Sequence, residues 1–375
     1  MARDLTKWMP RRMLSARFDP AGALLSRANL GREDRMVELA PLTAMLVGSY
    51  PQPSWLAERT GAMPPIRFRD LGDTRDEACD DAVRLAVLDQ VEAGLGVIGD
   101  GEQDRVSYQD YFMRRMEGLS LYPETRALGA PVESGAPRVV GALSLSESVA
   151  APMVAKVRRS TNLPIKLSVI GPFTIGTRMV DTYYGDRERL GNALADVLNG
   201  ELRAIQAAGC DILQIDEPGF TARLHDPETI QWGVSLVNRV LEGITVPVVM
   251  HMCFGYAIVV KEKDENKAGS AYHAVLPYLR DARPDILSLE LAQPHADMEV
   301  LQHAEGKKFL LGLLDLSTNN IEAPEQIAAR IREAARYAPL ESLYTGPDCG
   351  MKFLPREVAK AKLEVLTAGA RLVLS

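Results

Sequence analysis

The sequence predicts an α/β fold of the (β/α)8 TIM-barrel type, on three observations. Eight short apolar runs each close in polar residues. The runs alternate with stretches of helical period. No Gly-x-Gly-x-x-Gly follows the first run to mark a doubly wound dinucleotide fold. Length agrees, because 375 residues suit one large barrel, and no repeat, low-complexity tract or Gly/Ser linker divides the chain.

Residues 1–41 read as a polar N-terminal extension and 42–375 as the barrel. The strand runs, in order, are TAMLVGS (43–49), GVIGDGE (96–102), IKLSVIG (165–171), DILQIDE (211–217), VPVVMHMC (246–253), DILSLE (285–290), KFLLGLLD (308–315) and SLYTGPDC (342–349). Helical spacing lies between them, as in Ala78, Ala82, Leu85 and Leu88. It recurs at the end of the chain in Val358, Ala361, Val365, Ala368 and Leu372, with Pro355 near the first turn. Two connections are too long for one helix. They are residues 50–72 after the first strand and 103–160 after the second, where PVESGAPRVVGALS (131–144) reads as an inserted hairpin. Insertions after barrel strands lie at the catalytic mouth. Asp104 and Arg105 are expected as an exposed pair, and KEKDENK (261–267) as a solvated loop.

Composition narrows the function classes. With 46% hydrophobic and 25% charged residues the chain can fill a large core. A net charge of -7 argues against nucleic acid or an anionic membrane as partner, since both need clustered Lys and Arg; a small-molecule substrate is expected. The first residues carry basic groups without a following apolar stretch or cleavage site, and no run approaches the ~20 apolar residues of a membrane span, so a cytoplasmic protein is expected. Of the four cysteines, Cys79 and Cys210 read as buried small hydrophobes, which leaves Cys253 and Cys349 for chemistry.

In a barrel the C-terminal strand ends converge on one face, so the residues closing each run are the ones to inspect. Here they are Ser49, Glu102, Asp216 with Glu217, His251 with Cys253, Glu290 and Cys349. His251 and Cys253 are two apart on an extended segment, which puts both side chains on one side. With Cys349 in the tight TGPDCG turn and the lone carboxylate Glu290, they make a four-ligand Zn2+ site. Two thiolates and one carboxylate outweigh the 2+ charge. Such a zinc is a poor activator of water but suits holding a substrate thiol as thiolate, so thiol alkylation is expected ahead of hydrolysis.

VGSYPQP, GDGEQDR, IGPFTIG, ILQIDEP, MHMCFGY, LSLE and TGPDCGMK, in this order, resemble the catalytic C-terminal barrel of cobalamin-independent methionine synthase in its short single-barrel form, over about residues 42–374. The resemblance implies His251, Cys253, Glu290 and Cys349 as zinc ligands. It also implies Ser49, Glu102 and Asp216 as the residues holding the carboxylate and ammonium of homocysteine, with Asp216 and Glu102 as the catalytic pair. Carboxylates at the mouth are what a substrate ammonium requires, and the Gly48-Ser49 backbone and hydroxyl can donate to its carboxylate.

Three positions depart from the family. The proton-donating histidine after the seventh strand is replaced in the turn Asp315, Leu316, Ser317, Thr318. The tryptophan and glutamate associated with folate correspond to Arg178 and Ala222. The expected activity is zinc-dependent methyl transfer to homocysteine, with a corrinoid or another small methyl compound as donor. The alternative is an epoxyalkane:coenzyme M transferase-type thiol alkyltransferase, in which Arg178 meets the sulfonate. Two remoter readings are uroporphyrinogen decarboxylase, whose chemistry needs no zinc, and a metal store using the barrel as scaffold.

Overall fold

The computed structural model describes residues 37–59, 66–121, 136–255 and 265–375. Most of the expected N-terminal extension, residues 1–36, lies outside the described residues, as do 256–264 of the segment around KEKDENK.

After a first extended segment around Ala44 and Met45, β1 (Ala57–Arg59) and β2 (Ile66–Phe68) pair antiparallel and lead into α1 (Arg75–Glu92). A second extended segment at Val97 and Ile98 is followed by α2 (Tyr108–Met113), β3 (Glu117–Ser120), β4 (Arg138–Ser144) and α3 (Ala151–Arg158). Then come β5 (Lys166–Ile170), α4 (Pro172–Gly176), β6 (Val180–Asp181), α5 (Arg187–Ala207), β7 (Ile212–Asp216) and α6 (Pro227–Val240). The chain ends with β8 (Val248–Met252), α7 (Glu265–Leu279), β9 (Ile286–Glu290), β10 (Lys308–Gly312), α8 (Pro324–Ala334), β11 (Leu343–Gly346) and α9 (Arg356–Leu374).

Strands β5, β7, β8, β9, β10 and β11 form one parallel sheet in chain order. Its two edges are joined through the two extended segments by parallel bridges, Ala44 to Thr345, Met45 to Val97, and Ile98 to Ile165. Eight parallel segments in chain order therefore close a ring, which is the expected barrel. Both long connections hold inserted strands, including the β1–β2 pair that the sequence did not suggest. Of the expected hairpin at 131–144, residues 131–135 lie outside the described residues and 138–144 form the single strand β4, which pairs antiparallel with β3 and parallel with β6.

The barrel interior changes character along its axis. Met45, Val47, Val97, Ile212, Val249, Ile286, Leu310 and Tyr344 form an apolar plug separate from the larger core between strands and helices. Moving two residues at a time along β7, β8 and β9 keeps the same face. The face passes from Ile212 through Gln214 to Asp216, from Val249 to His251, and from Ile286 through Ser288 to Glu290. Apolar side chains therefore seal the lower barrel, and titratable ones collect at the C-terminal mouth.

Two helical faces are rotated by about one position from the expected ones. α1 buries Cys79, Ala82, Val83, Ala86, Val87, Asp89 and Gln90, while Leu88 is 41% exposed. α9 buries Ala359, Lys362, Leu363, Leu366 and Thr367, with Leu372 outside. Polar residues on the buried faces cause the offset. Asp89 takes a bidentate Arg356 and the Tyr50 hydroxyl, Gln90 pairs with the Gly99 backbone, and buried Lys362 pairs with Glu322. The expected loop over 261–267 also needs correction at its end, since α7 already begins at Glu265. No described helix is long and apolar enough to cross a membrane.

Candidate metal centre and substrate cleft

At the strand C-termini a cleft with about 390 Å³ of space, open mouth included, is lined by Ser49, Glu102, Tyr108, Asp216, His251, Cys253 and Cys349, with Gly48, Gly255 and Gly350 between them. Barrel register brings the lining together. Asp216 pairs with His251 across β7 and β8, and His251 with Ser288 across β8 and β9.

His251, Cys253 and Cys349 are buried, and one donor atom from each lies within 4.8 Å of the others. The sulfurs of Cys253 and Cys349 are 3.6 Å apart. That is too long for a disulfide, but close to the spacing of about 3.8 Å that two sulfurs take when each sits about 2.3 Å from one tetrahedral ion. His251 Nδ1 lies 3.0 Å from Ser288 Oγ, while its buried Nε2 makes no conventional hydrogen bond. If Nδ1 carries the proton and donates to Ser288, the Nε2 lone pair is left for a metal, which is how a partner behind a ligating histidine sets its tautomer. Hydrogen bonding from Cys349 acts most strongly on Cys253. Together with the His251 charge it outweighs burial and holds the Cys253 thiol well below its usual range. Burial alone would push the His251 imidazole down, but the Cys253 thiolate outweighs it and the net shift is upward. A thiolate facing an imidazole with an unused nitrogen fits zinc.

Glu290 is fully buried at the end of β9, and its Oε2 accepts the Phe254 amide at 2.8 Å. The structure places it beside the Cys253 segment but does not gather it into the three-atom cluster.

The carboxylates line the same cleft. Glu102 sits in the left-handed backbone region at φ 53, a conformation that costs a non-glycine residue about 1 to 3 kcal/mol. This geometry turns its side chain into the mouth. Oε1 accepts the Ser168 hydroxyl at 3.0 Å, and Oε2 is buried without a partner. A Cβ at Gly48 would come within 2.8 Å of Glu102 Oε1, so a side chain there would shift that carboxylate. Ser49 Oγ is likewise buried and unpartnered. Burial pushes the Asp216 carboxyl up to about 6, with His251, Gln214 and Lys166 opposing the rise and Glu102 adding to it. Glu217, next to it, serves the scaffold: its oxygens accept the Phe173 and Thr174 amides and the Thr174 hydroxyl, which fixes the start of α4.

The remaining expectations divide. Cys79 and Cys210 are buried free thiols, as expected. Asp104 and Arg105 are not an exposed pair. Arg105 is 1% exposed and ion-paired to Asp100 at 3.4 Å, Glu102 at 3.7 Å and Asp104 at 3.8 Å, because the loop folds back under the mouth where three acids need a counter-charge. Arg178 is half-buried and outside the cleft lining, close enough to Tyr108 for its charge to act on that phenol. Ala222 is exposed. Sequence reasoning missed Tyr108, which enters the cleft from α2 rather than from a strand end. It also passed over Lys166 and Gln214. Their signal was present, as polar residues at inward-facing parity inside otherwise apolar runs.

Comparison with known proteins follows the same outline. The family model described as cobalamin-independent synthase, catalytic domain, matches residues 41–371. A methionine synthase from Sulfurisphaera tokodaii is 30% identical over 352 residues, covering 90% of this chain and 94% of that protein. One from Pyrococcus abyssi is 31% identical over 343 residues, covering 90% and 94%. A solved B12-independent methionine synthase from Shewanella sp. W3-18-1, in complex with selenomethionine, matches with a TM-score of 0.81 at 33% identity over 89% of this chain and 98% of that one.

Proposed function

The chain belongs to the cobalamin-independent synthase catalytic-domain family, and from that premise we propose that it transfers a methyl group to the sulfur of homocysteine, giving methionine, with zinc as its metal. One observation carries the reading. Three metal-donor atoms converge in the same cleft as Asp216 and the unpartnered Ser49 Oγ and Glu102 Oε2, so a site for a sulfur and one for an amino acid's charged end share one cleft. The Shewanella relative was solved with selenomethionine, an amino acid of the product's shape.

His251, Cys253 and Cys349 would hold the zinc, with Glu290 as the fourth ligand. When bound, zinc supplies the positive charge that keeps a substrate thiol in its nucleophilic thiolate form at neutral pH. Ser288 fixes the His251 ring behind the site. Asp216 and Glu102 take the substrate ammonium, and the Ser49 hydroxyl donates to its carboxylate. Anchoring the amino-acid end fixes where the sulfur lies, so the methyl group can be met in line. The coenzyme M alternative needs a cation at the sulfonate. Arg178, the residue assigned to that task, does not line the cleft.

Asp216→Asn tests the acceptor assignment. Homocysteine should bind about ten- to a hundredfold more weakly, the loss of a charge-assisted contact of ~1.5 to 3 kcal/mol, while coenzyme M, which has no ammonium, should bind nearly as before. Isothermal titration of both thiols checks this. Equal loss for the two would make Asp216 a structural residue.

A further inference from the structure

We propose that Lys166 and Gln214 are positioning residues that aim Asp216 at the substrate's ammonium and so select an α-amino thiol over a simple thiol. This assignment rests on the homocysteine reading above.

The two side chains form a directed chain beneath the cleft. Lys166 Nζ donates to the Val47 carbonyl at 2.8 Å and to Gln214 Oε1. An ammonium can only donate, so it fixes which end of the Gln214 amide faces it. The Gln214 NH2 must then point the other way, and it donates to Asp216 Oδ1 at 2.7 Å. One carboxylate oxygen is thereby anchored from below while Asp216 lines the cleft above.

The placement is not what packing alone would select. The layer immediately below is filled by Ile212, Val249 and Ile286, and Lys166 at 4% exposure stands where an aliphatic residue would pack at less cost. Burial is the largest influence on the Lys166 ammonium and lowers it to about 8, while Asp216 and Glu102 oppose it from the mouth. Lys166 thus holds the Gln214 amide, and through it Asp216 Oδ1, in one orientation beneath the cleft. Held in that orientation, Asp216 is aimed to receive an ammonium. Without the chain beneath it, the same carboxyl would be free to turn.

The test compares homocysteine with 4-mercaptobutanoate, which is homocysteine without its amino group, by calorimetric titration of the zinc-loaded protein. Wild-type chain should prefer homocysteine about ten- to a hundredfold. Lys166→Met and Gln214→Met should each reduce that preference to within about threefold, by weakening homocysteine and sparing the analogue, with zinc content unchanged. A purely structural role would weaken both thiols together. Affinities report only the folded fraction, so partial unfolding does not mimic the result. Wild-type preference retained in both variants overturns the assignment alone, as does loss of folding in both. A wild-type chain that does not distinguish the thiols overturns the homocysteine reading and the assignment with it.

Discussion

Cys349→Ala and His251→Ala should each emerge from purification with zinc well below one per chain and lose methyl transfer by more than the ten- to hundredfold typical of losing a partner outside the ligand shell. Each variant removes one of the three donor atoms that, among the described residues, converge within 4.8 Å. The fold should survive, because the apolar plug below the site does not include either residue. Metal analysis beside circular dichroism checks both points. Stoichiometric zinc in either variant would remove that residue from the ligand set.

Methylfolate, including its polyglutamate forms, should be a donor roughly a hundredfold or more slower than the best alternative at neutral pH, the usual worth of a general acid. Breaking a methyl to nitrogen bond needs a proton on that nitrogen. The turn after β10 offers none: Ser317 is exposed, and its amide and hydroxyl both donate to Asp315 Oδ1. A serine hydroxyl does not titrate near neutrality. A methylcorrinoid needs no such proton, since cobalt leaves without one. Ser317→His alone should not restore methylfolate, because Arg178 and Ala222 stand where the resemblance places the other folate contacts. Parallel turnover with methylfolate and methylcobalamin decides the matter. Comparable rates would show that proton donation comes from elsewhere in the cleft.

The barrel and most of its mouth were legible because they rest on short-range signals. All eight apolar runs coincide with barrel segments, since a strand buried on both faces must read as a continuous apolar stretch. His251 and Cys253 were readable from period-two geometry, and Cys349 from a turn rich in glycine and proline. What escaped depends on tertiary pairing. Arg105 looks exposed until three acids are seen to surround it, and Asp89 and Lys362 hide on helix faces that a hydropathy pattern assigns to solvent. Tyr108 reaches the cleft only because the insertion after the second segment folds over it. Lys166 and Gln214 are inward-facing by simple alternation, but nothing local shows that one supports the other.

The central claim is that this cleft binds homocysteine through its sulfur, as thiolate, at the His251, Cys253 and Cys349 cluster. Proton release measures it most directly. Calorimetric titration of zinc-loaded protein with homocysteine, in buffers of different ionisation enthalpy at pH 7, should show close to one proton released per thiol bound, because the free thiol, with a pKa of about 8.5, is mostly protonated there. The zinc-free chain should release far less. Homocysteine binding with no proton release from the zinc-loaded chain would contradict the account.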